Sequence, residues 1–347
     1  MEWVQLDLEA FRRTIQNREV ICIGAGIQGK RFACLIENWN LQGSIIAFAD
    51  NNKALQGNDF QYRTMRYPIL SIDKAVRMAD KNALWVIACL DENTIKEQLQ
   101  QYAEMKDALV TSLSTVAMAQ LRISDYEAVI REYQEPVIPK VIHYVWVGGR
   151  MPEAYQRNIE NWKQKCPDYE IVEWNESNYD FKKNSYTYEA YVSKRYGFVP
   201  DFSRLDILYQ YGGIYLDVDV EICQSLDNLV FQKGFAFMDS TLLVNHGSGI
   251  GCVQGLDIIG EFRDAYADQK FRYQGGSYNL DPCMLYTYEV LSRYGWQVKD
   301  QIQTIKGLNI YPMICVGNSA YTRETHITEK TYVTHWGARS WLKRNTV

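Results

Sequence analysis

A helical pattern that ends in two glycines and runs straight into a strand pattern governs how residues 201–220 can fold. In Asp201-Phe-Ser-Arg204-Leu-Asp206-Ile-Leu-Tyr-Gln-Tyr-Gly212-Gly213, the residues Leu205, Leu208 and Tyr209 recur at helical spacing. The glycine pair supplies the residue favoured just past a helix C-terminus. The next stretch, Ile214-Tyr-Leu-Asp-Val-Asp-Val220, predicts one continuous strand whose alternate residues share a face. Ile214, Leu216, Val218 and Val220 then enter a core, while Tyr215, Asp217 and Asp219 face the other way. Two carboxylates side by side repel unless a cation lies beside them, and such oxygen ligands suit a hard divalent ion, Mg²⁺ or Mn²⁺. Asp201 and Arg204 are three apart and occupy one helical face. A guanidinium suits phosphate and a carboxylate suits ribose hydroxyls. Taken singly, the same groups read as a helix ion pair beside a solvated strand face.

Four separated segments extend this constellation into a family resemblance. Ile138-Pro-Lys-Val-Ile-His143-Tyr-Val-Trp146-Val-Gly148-Gly149, then Asn161-Trp162-Lys163 with the Pro167-Asp168-Tyr169-Glu170 turn, then the Asp201–Asp219 stretch, and finally Thr334-His335-Trp336-Gly-Ala-Arg-Ser340-Trp341 keep one order. Over about 138–347 the chain resembles the DXD sugar-transfer enzymes of glycosyltransferase family 32, and more distantly the catalytic domain of the large clostridial glucosylating toxins. The resemblance implies a GT-A-type α/β domain that uses a nucleotide-diphosphate sugar, with a UDP-sugar favoured. It implies that Trp146 stacks on the base, with Val145 and Tyr215 alongside. Asp201 and Arg204 would hold ribose and neighbouring donor groups, and Asp217 and Asp219 the metal, with His335 as a candidate third ligand. Arg339, Ser340 and Trp341 would add donor contacts, although an Arg stands where a small residue is common before Ser340-Trp341. Asn279 and Asp281 border the sugar and acceptor in the family, and read equally as an ordinary start to the helix predicted from Cys283. The family retains anomeric configuration. No second carboxylate is placed by sequence as a nucleophile, so same-face attack by the acceptor hydroxyl is the expectation.

The first 135 residues read as a separate unit. Glu19-Val-Ile-Cys-Ile-Gly24-Ala-Gly26-Ile-Gln-Gly29 is a strand pattern followed by G-x-G-x-x-G, and Phe32, Leu35, Ile36 and Trp39 continue at helical spacing. A second strand, Ser44–Asp50, ends in an acid suited to a ribose. A helix near 72–80, a strand at 83–90 and a capping box opening a helix at Thr94 complete a strand–helix alternation. That alternation predicts a small doubly wound parallel sheet. It resembles the Rossmann-like N-terminal domains of several surface-polysaccharide enzymes. Gly24, Gly26, Gly29 and Asp50 are the candidate contacts to a nucleotide or dinucleotide, although the glycines are equally explained by a tight turn and close helix–strand packing. Tyr133-Gln-Glu-Pro-Val-Ile-Pro139, with two of the chain's eight prolines, is the expected boundary, giving domains 1–135 and 136–347.

Composition narrows the partners. With 347 residues, 47% of them hydrophobic, the chain can fill two cores. A net charge of −5 argues against a nucleic-acid partner. No apolar run reaches the roughly 18 residues of a membrane span, and the start is acidic rather than secretory in pattern. Weak basicity at Lys343 and Arg344 leaves room for peripheral contact with an inner membrane face. The eight cysteines, without C-x-x-C spacing, read as reduced core thiols of a cytoplasmic protein. Among the histidines His143 is expected to be structural, His246 and His326 carry no signal, and His335 is the functional candidate. The combined expectation is a metal-dependent retaining glycosyltransferase acting on a bacterial surface glycan (capsule, O-antigen or lipooligosaccharide) or a lipid-linked oligosaccharide. The competing expectations are an oxidoreductase or epimerase centred on Gly24–Gly29, a protein-glycosylating enzyme, and a binding protein with a degenerate site.

Overall fold

The computed structural model describes residues 1–319 and 322–337. The chain forms two compact units, Met1–Ile123 with Gln297–Lys299, and Ser124–Trp296 with the chain from Asp300 on. The expected boundary at 135 therefore moves to 123/124. Residues 124–135 belong to the second unit because they are bonded into it. Ile130 N–H donates to the Tyr311 hydroxyl, Glu132 and Tyr133 N–H donate to Phe231 O, and the Arg131 guanidinium lies 3.8 Å from the Phe231 ring centroid.

The first unit is a seven-stranded sheet in the order Glu2–Trp3, Leu109–Ser112, Leu84–Ile87, Val20–Ile23, Ile45–Ala49, Met65–Leu70, Asp59–Tyr62. Every pairing is parallel except the last. The central strands Val20–Ile23 and Leu84–Ile87 are apolar and buried on both faces, as the middle of a sheet covered on two sides requires. Ile21, Ile23, Trp85 and Val110 pack with Ile72, Val76, Ile95 and Leu99 on one side. On the other, Phe48 meets Phe32, which in turn meets Phe11. The helix expected to open at Thr94 begins earlier, spanning Glu92–Leu99. Asp91 is its N-cap and accepts from Thr94 N and Thr94 Oγ1, so Thr94 completes the cap rather than starting it.

The second unit holds a seven-stranded mixed sheet in the order Gln303–Ile305, Leu308–Tyr311, Gly234–Phe237, Ile250–Cys252, Gly213–Tyr215, Val141–Val145, Glu170–Trp174. A separate two-stranded ribbon pairs Val220–Ile222 with Val333–His335, Val220 opposite His335. The single strand expected over 214–220 is thus a correction: it is two strands in two sheets, joined by Leu216–Asp219. Leu216 N–H bonds to His143 O, Asp217 N–H turns to Gly247 O, and Val220 N–H closes a turn on Asp217 O. The helix Glu153–Lys165 fixes the second strand. Its Asn158 Nδ2 donates to Val218 O, Asn161 bonds both Ile222 N and Ile222 O, and Trp162 Nε1 donates to Val220 O. Trp162 is wholly buried, so Asn161-Trp162 serves as a clamp on the ribbon. Among the described residues no helix is long and apolar enough to cross a membrane.

Candidate active site

The helix Pro200–Tyr211 starts on proline, whose missing N–H costs nothing in the first turn, and stops at Gly212, φ +68°. Gly213 follows at φ +94°, where a Cβ would come within 2.8 Å of the His143 ring. Both conformations favour glycine, which is why the helix reverses so tightly into Gly213–Tyr215. His143 is buried, with Nε2 3.0 Å from Gly212 O and Nδ1 accepting from Trp174 Nε1. Burial pushes its pKa down to about 4, so it stays neutral. It holds this corner of the sheet, as the sequence suggested.

Arg204 stands at the centre of the site, buried together with Asp201, while Asp217 is partly exposed. Its Nε donates to Pro200 O at 3.0 Å, and its Nη2 lies 3.1 Å from Asp201 Oδ1 and 3.5 Å from Asp217 Oδ1. Tyr215, stacked against the guanidinium at 5.0 Å, donates its hydroxyl to Asp217 Oδ1, and Tyr186 donates to Asp201 Oδ2. Burial raises the Asp201 pKa to about 7, against the opposing pull of Arg204. Tyr215 is equally enclosed, at 1% exposed. Arg204 and Tyr215 therefore act as struts beneath Asp217 rather than as groups projecting into solvent.

Asp219 and His335 complete the cluster. Asp219 Oδ1 lies 3.2 Å from His335 Nε2, and ligand atoms of Asp217, Asp219 and His335 all fall within 4.8 Å of one another. Burial, the largest single influence, pulls the His335 pKa down, but Asp219 above all, with Asp217 and Asp239, together outweigh it and raise it to about 9. Trp336 N–H bonds to Asp219 O, locking the strand bearing His335 to the turn bearing Asp219. Two carboxylates and an imidazole make a donor set suited to Mn²⁺ or Mg²⁺. The backbone is shaped for it as well. A Cβ on Gly247 would come 2.2 Å from Asp217 Oδ2 and 3.2 Å from Arg204 Nη1, so only glycine lets the carboxylate lie against this loop.

The remaining candidates divide. Trp146 is half-buried at the end of Val141–Val145, with Nε1 donating to Gly149 O and its ring 5.5 Å from Tyr155. Val145 is buried, so its backbone is what it can offer a ligand. Asn279 is 3% exposed, and its amide bonds Tyr286 OH, Lys270 O and Asp281 N. Those bonds organise the start of the helix Cys283–Arg293 and do not join Asn279 to the Asp217 cluster. Arg339, Ser340 and Trp341 lie outside the described residues. In the first unit, Gly24 packs where a Cβ would meet Ala88 O at 2.1 Å, and Gly29 where it would meet Gly24 O at 2.4 Å. Asp50 accepts from Ala25 N and Asn52 N, closing the turn itself. Gly26 alone of the three faces open space.

Sequence reasoning missed the wall behind His335: Asp239, Asn245, Gly247 and Ser248, all buried. Their segment has no period, and single Ser, Asn and Gly residues in a loop carry no signal of their own. The only hint was the glycine density of Gly247-Ser248-Gly249.

Residues 152–236, which contain Asp201, Arg204, Asp217 and Asp219, match the family model described as a glycosyltransferase sugar-binding region containing a DXD motif. The second unit is thus an α/β domain bearing the glycosyltransferase DXD region. Among curated proteins the chain is 37% identical over 115 residues to inositol phosphoceramide mannosyltransferase 3 of Schizosaccharomyces pombe, covering 32% of each chain. It is 29% identical over 164 residues to Subversion of eukaryotic traffic protein A of Legionella pneumophila, covering 38% of this chain and 25% of that protein. The matched stretch spans about a third or less of these relatives. Among solved structures, PaToxG glycosyltransferase aligns over 58% of this chain and 77% of its own, with 20% identity and a TM-score of 0.38.

Proposed function

We propose that the second unit transfers a sugar from a nucleoside-diphosphate sugar, UDP-linked in the favoured case, to a glycan or lipid-linked acceptor, with retention of configuration. The observation that carries this reading is the convergence of Asp217, Asp219 and His335 on one point, above the buried Asp201–Arg204 pair, inside the matched sugar-binding region. Asp217, Asp219 and His335 would hold a divalent cation, which neutralises charge developing on the departing diphosphate. Arg204 keeps Asp217 in place and balances its charge, while Asp201 helps fix that guanidinium. Trp146, at the rim, would carry the base on its exposed face.

A lipid-linked acceptor has support from the fungal relative, named as a mannosyltransferase of inositol phosphoceramide. A surface polysaccharide remains the acceptor in the other form of the proposal. Eight free thiols, six of them buried, support a reducing, cytoplasmic setting. In the first unit the open face of Gly26 is the place where a nucleotide pyrophosphate would approach the turn. Asp50, already bonded to two backbone N–H groups, is better suited to holding that turn than to a ribose.

The test is a donor-hydrolysis screen of the full chain with Mn²⁺ and a panel of nucleotide sugars, run beside EDTA and Asp219→Ala. Release of a nucleoside diphosphate that needs both the metal and Asp219 is expected. Hydrolysis unaffected by either would remove the metal from the reading, and silence across every donor would remove the transferase itself.

A further inference from the structure

Behind His335 runs a line of buried polar groups that the ligand set leaves unexplained. Ser248 Oγ donates to Asp239 Oδ2 at 2.8 Å and lies 2.8 Å from His335 Nδ1. Asp239 Oδ2 also accepts from Asn245 Nδ2, and its Oδ1 accepts from Thr241 N–H, each at 2.8 Å. Asp239 is 2% exposed and Ser248 wholly buried. The relay is closed off from solvent and joins one side of the imidazole to a carboxylate that takes no part in the cluster.

Counting protons along this line decides which ring nitrogen carries hydrogen. A serine hydroxyl has one proton, and an ionised carboxylate can only accept. With that proton directed at Asp239, Ser248 Oγ meets the ring only as an acceptor, so Nδ1 must be the donor. Nε2, 3.2 Å from Asp219 Oδ1, then bears the lone pair whenever the ring is neutral. A metal ligand needs that lone pair, and the bond made by the other nitrogen is what selects it. The backbone of His335 is held separately, its N–H donating to Asn318 Oδ1 and its C=O accepting from Asn318 Nδ2. What is left for Ser248 and Asp239 to set is the ring.

We propose that Asp239, acting through Ser248, holds His335 in the Nδ1–H tautomer and aims Nε2 at the Asp217 and Asp219 carboxylates, making the imidazole a preset ligand for a divalent cation. Both are positioning residues, since neither touches the ligand point. The inference rests on the metal reading above. A merely structural Asp239, needed only for the turn in which Leu242 N–H bonds its C=O and its own N–H bonds Leu243 O, would alter stability and leave the tautomer alone.

The test uses the full chain labelled with ¹⁵N-histidine. Four histidines keep the spectrum assignable. In the Mg²⁺-loaded protein, long-range ¹H–¹⁵N correlations should show His335 protonated at Nδ1 and not at Nε2. Electron paramagnetic resonance of free Mn²⁺ should give affinities weakened about 10–100-fold by Ser248→Ala and by Asp239→Asn. Asp239→Asn should also raise the Nε2–H population, because an amide N–H facing Ser248 turns the hydroxyl proton towards Nδ1. Ser248→Ala leaves Asp239 its other partners and serves if the asparagine variant fails to fold. Protonation at Nε2 in the wild-type protein, or unchanged Mn²⁺ affinity in a folded variant, overturns the relay and leaves the metal reading intact. A wild-type chain that takes up no Mn²⁺ overturns both.

Discussion

Each unit carries a glycine-marked turn at the end of a buried strand, with a carboxylate beside it, yet the two are built to opposite ends. At Gly24–Gly29 the carboxylate of Asp50 is satisfied by backbone N–H groups of its own turn, and two of the three glycines are demanded by packing. At Gly212–Asp219 the carboxylates of Asp217 and Asp219 face a guanidinium, an imidazole and each other. A carboxylate bonded to local N–H groups is part of the architecture. Carboxylates crowded together, with cations brought in to balance them, hold an arrangement that protein folding alone does not need. The comparison separates a turn that any fold of this kind requires from a cluster whose cost implies a ligand.

The sharpest way to break it is Asp219→Ala. Turnover should fall by several orders of magnitude, because loss of metal charge stabilisation is worth several kcal/mol, while the metal-free protein loses only the pH-dependent stability of the Asp219–His335 pair. Comparable losses of activity and of stability would instead make Asp219 a structural residue like Asp50. Next in size is Gly24→Ala, where a Cβ would sit 2.1 Å from Ala88 O at φ +113°. Clash and backbone strain together should cost on the order of 3 kcal/mol, read from denaturant unfolding, with donor hydrolysis by the surviving folded fraction intact.

A third test uses pH. His335 titrates near 9 in the folded protein against an ordinary 6.5. The stability from its charge is complete below about pH 6.5 and is lost as pH rises through 9. Asp201, raised from 3.8 to about 7, also costs stability as pH rises, but its effect is complete about one unit above that value. Melting of metal-free protein between about pH 8 and 10 should therefore decline in the wild type and decline less in His335→Gln; parallel curves would refute the Asp219–His335 pairing. Trp146→Ala comes next. It should weaken nucleoside-diphosphate binding by about 1–3 kcal/mol, the range for a base on an aromatic ring, and calorimetry with unchanged affinity would return Trp146 to a packing role beside Tyr155. Smallest of all is Gly26→Ala, which meets nothing within 4 Å. Unfolding should be unaltered, and any loss of nucleotide binding by the first unit would then report a ligand contact.

Legibility followed the range of the forces involved. The helix Pro200–Tyr211, the strand–turn–helix at Val20–Asn38 and the helix from Cys283 were readable because periodicity and glycine punctuation are local. Asp217 and Asp219 are legible as a carboxylate pair two apart, and the resemblance adds His335; the structure brings their ligand atoms to one place. The break at Leu216–Asp219 was not readable. Its apolar alternation is strand-like throughout, and what ends the strand is a distant carbonyl, Gly247 O, which takes the Asp217 N–H after Leu216 N–H has made the last ladder bond to His143 O. For the same reason Pro136 and Pro139 misplaced the domain boundary: the residues that tie 124–135 to the second unit, Phe231 and Tyr311, lie about a hundred and more positions away.

The break between the two sheets has a mechanical consequence. Asp217 is anchored to the large sheet through Tyr215, whereas His335 belongs to the two-stranded ribbon, and Asp219 sits at the joint. A cation shared by these three would act as a rivet across a seam. Occupancy stabilises only the conformations in which the seam is shut, by an amount that grows with the logarithm of cation concentration. Amide hydrogens of Val333–His335 should then exchange more slowly as Mn²⁺ is added, while those of Val20–Ile23 keep their rate. The chemistry and the fastening of the C-terminal strand would share one switch.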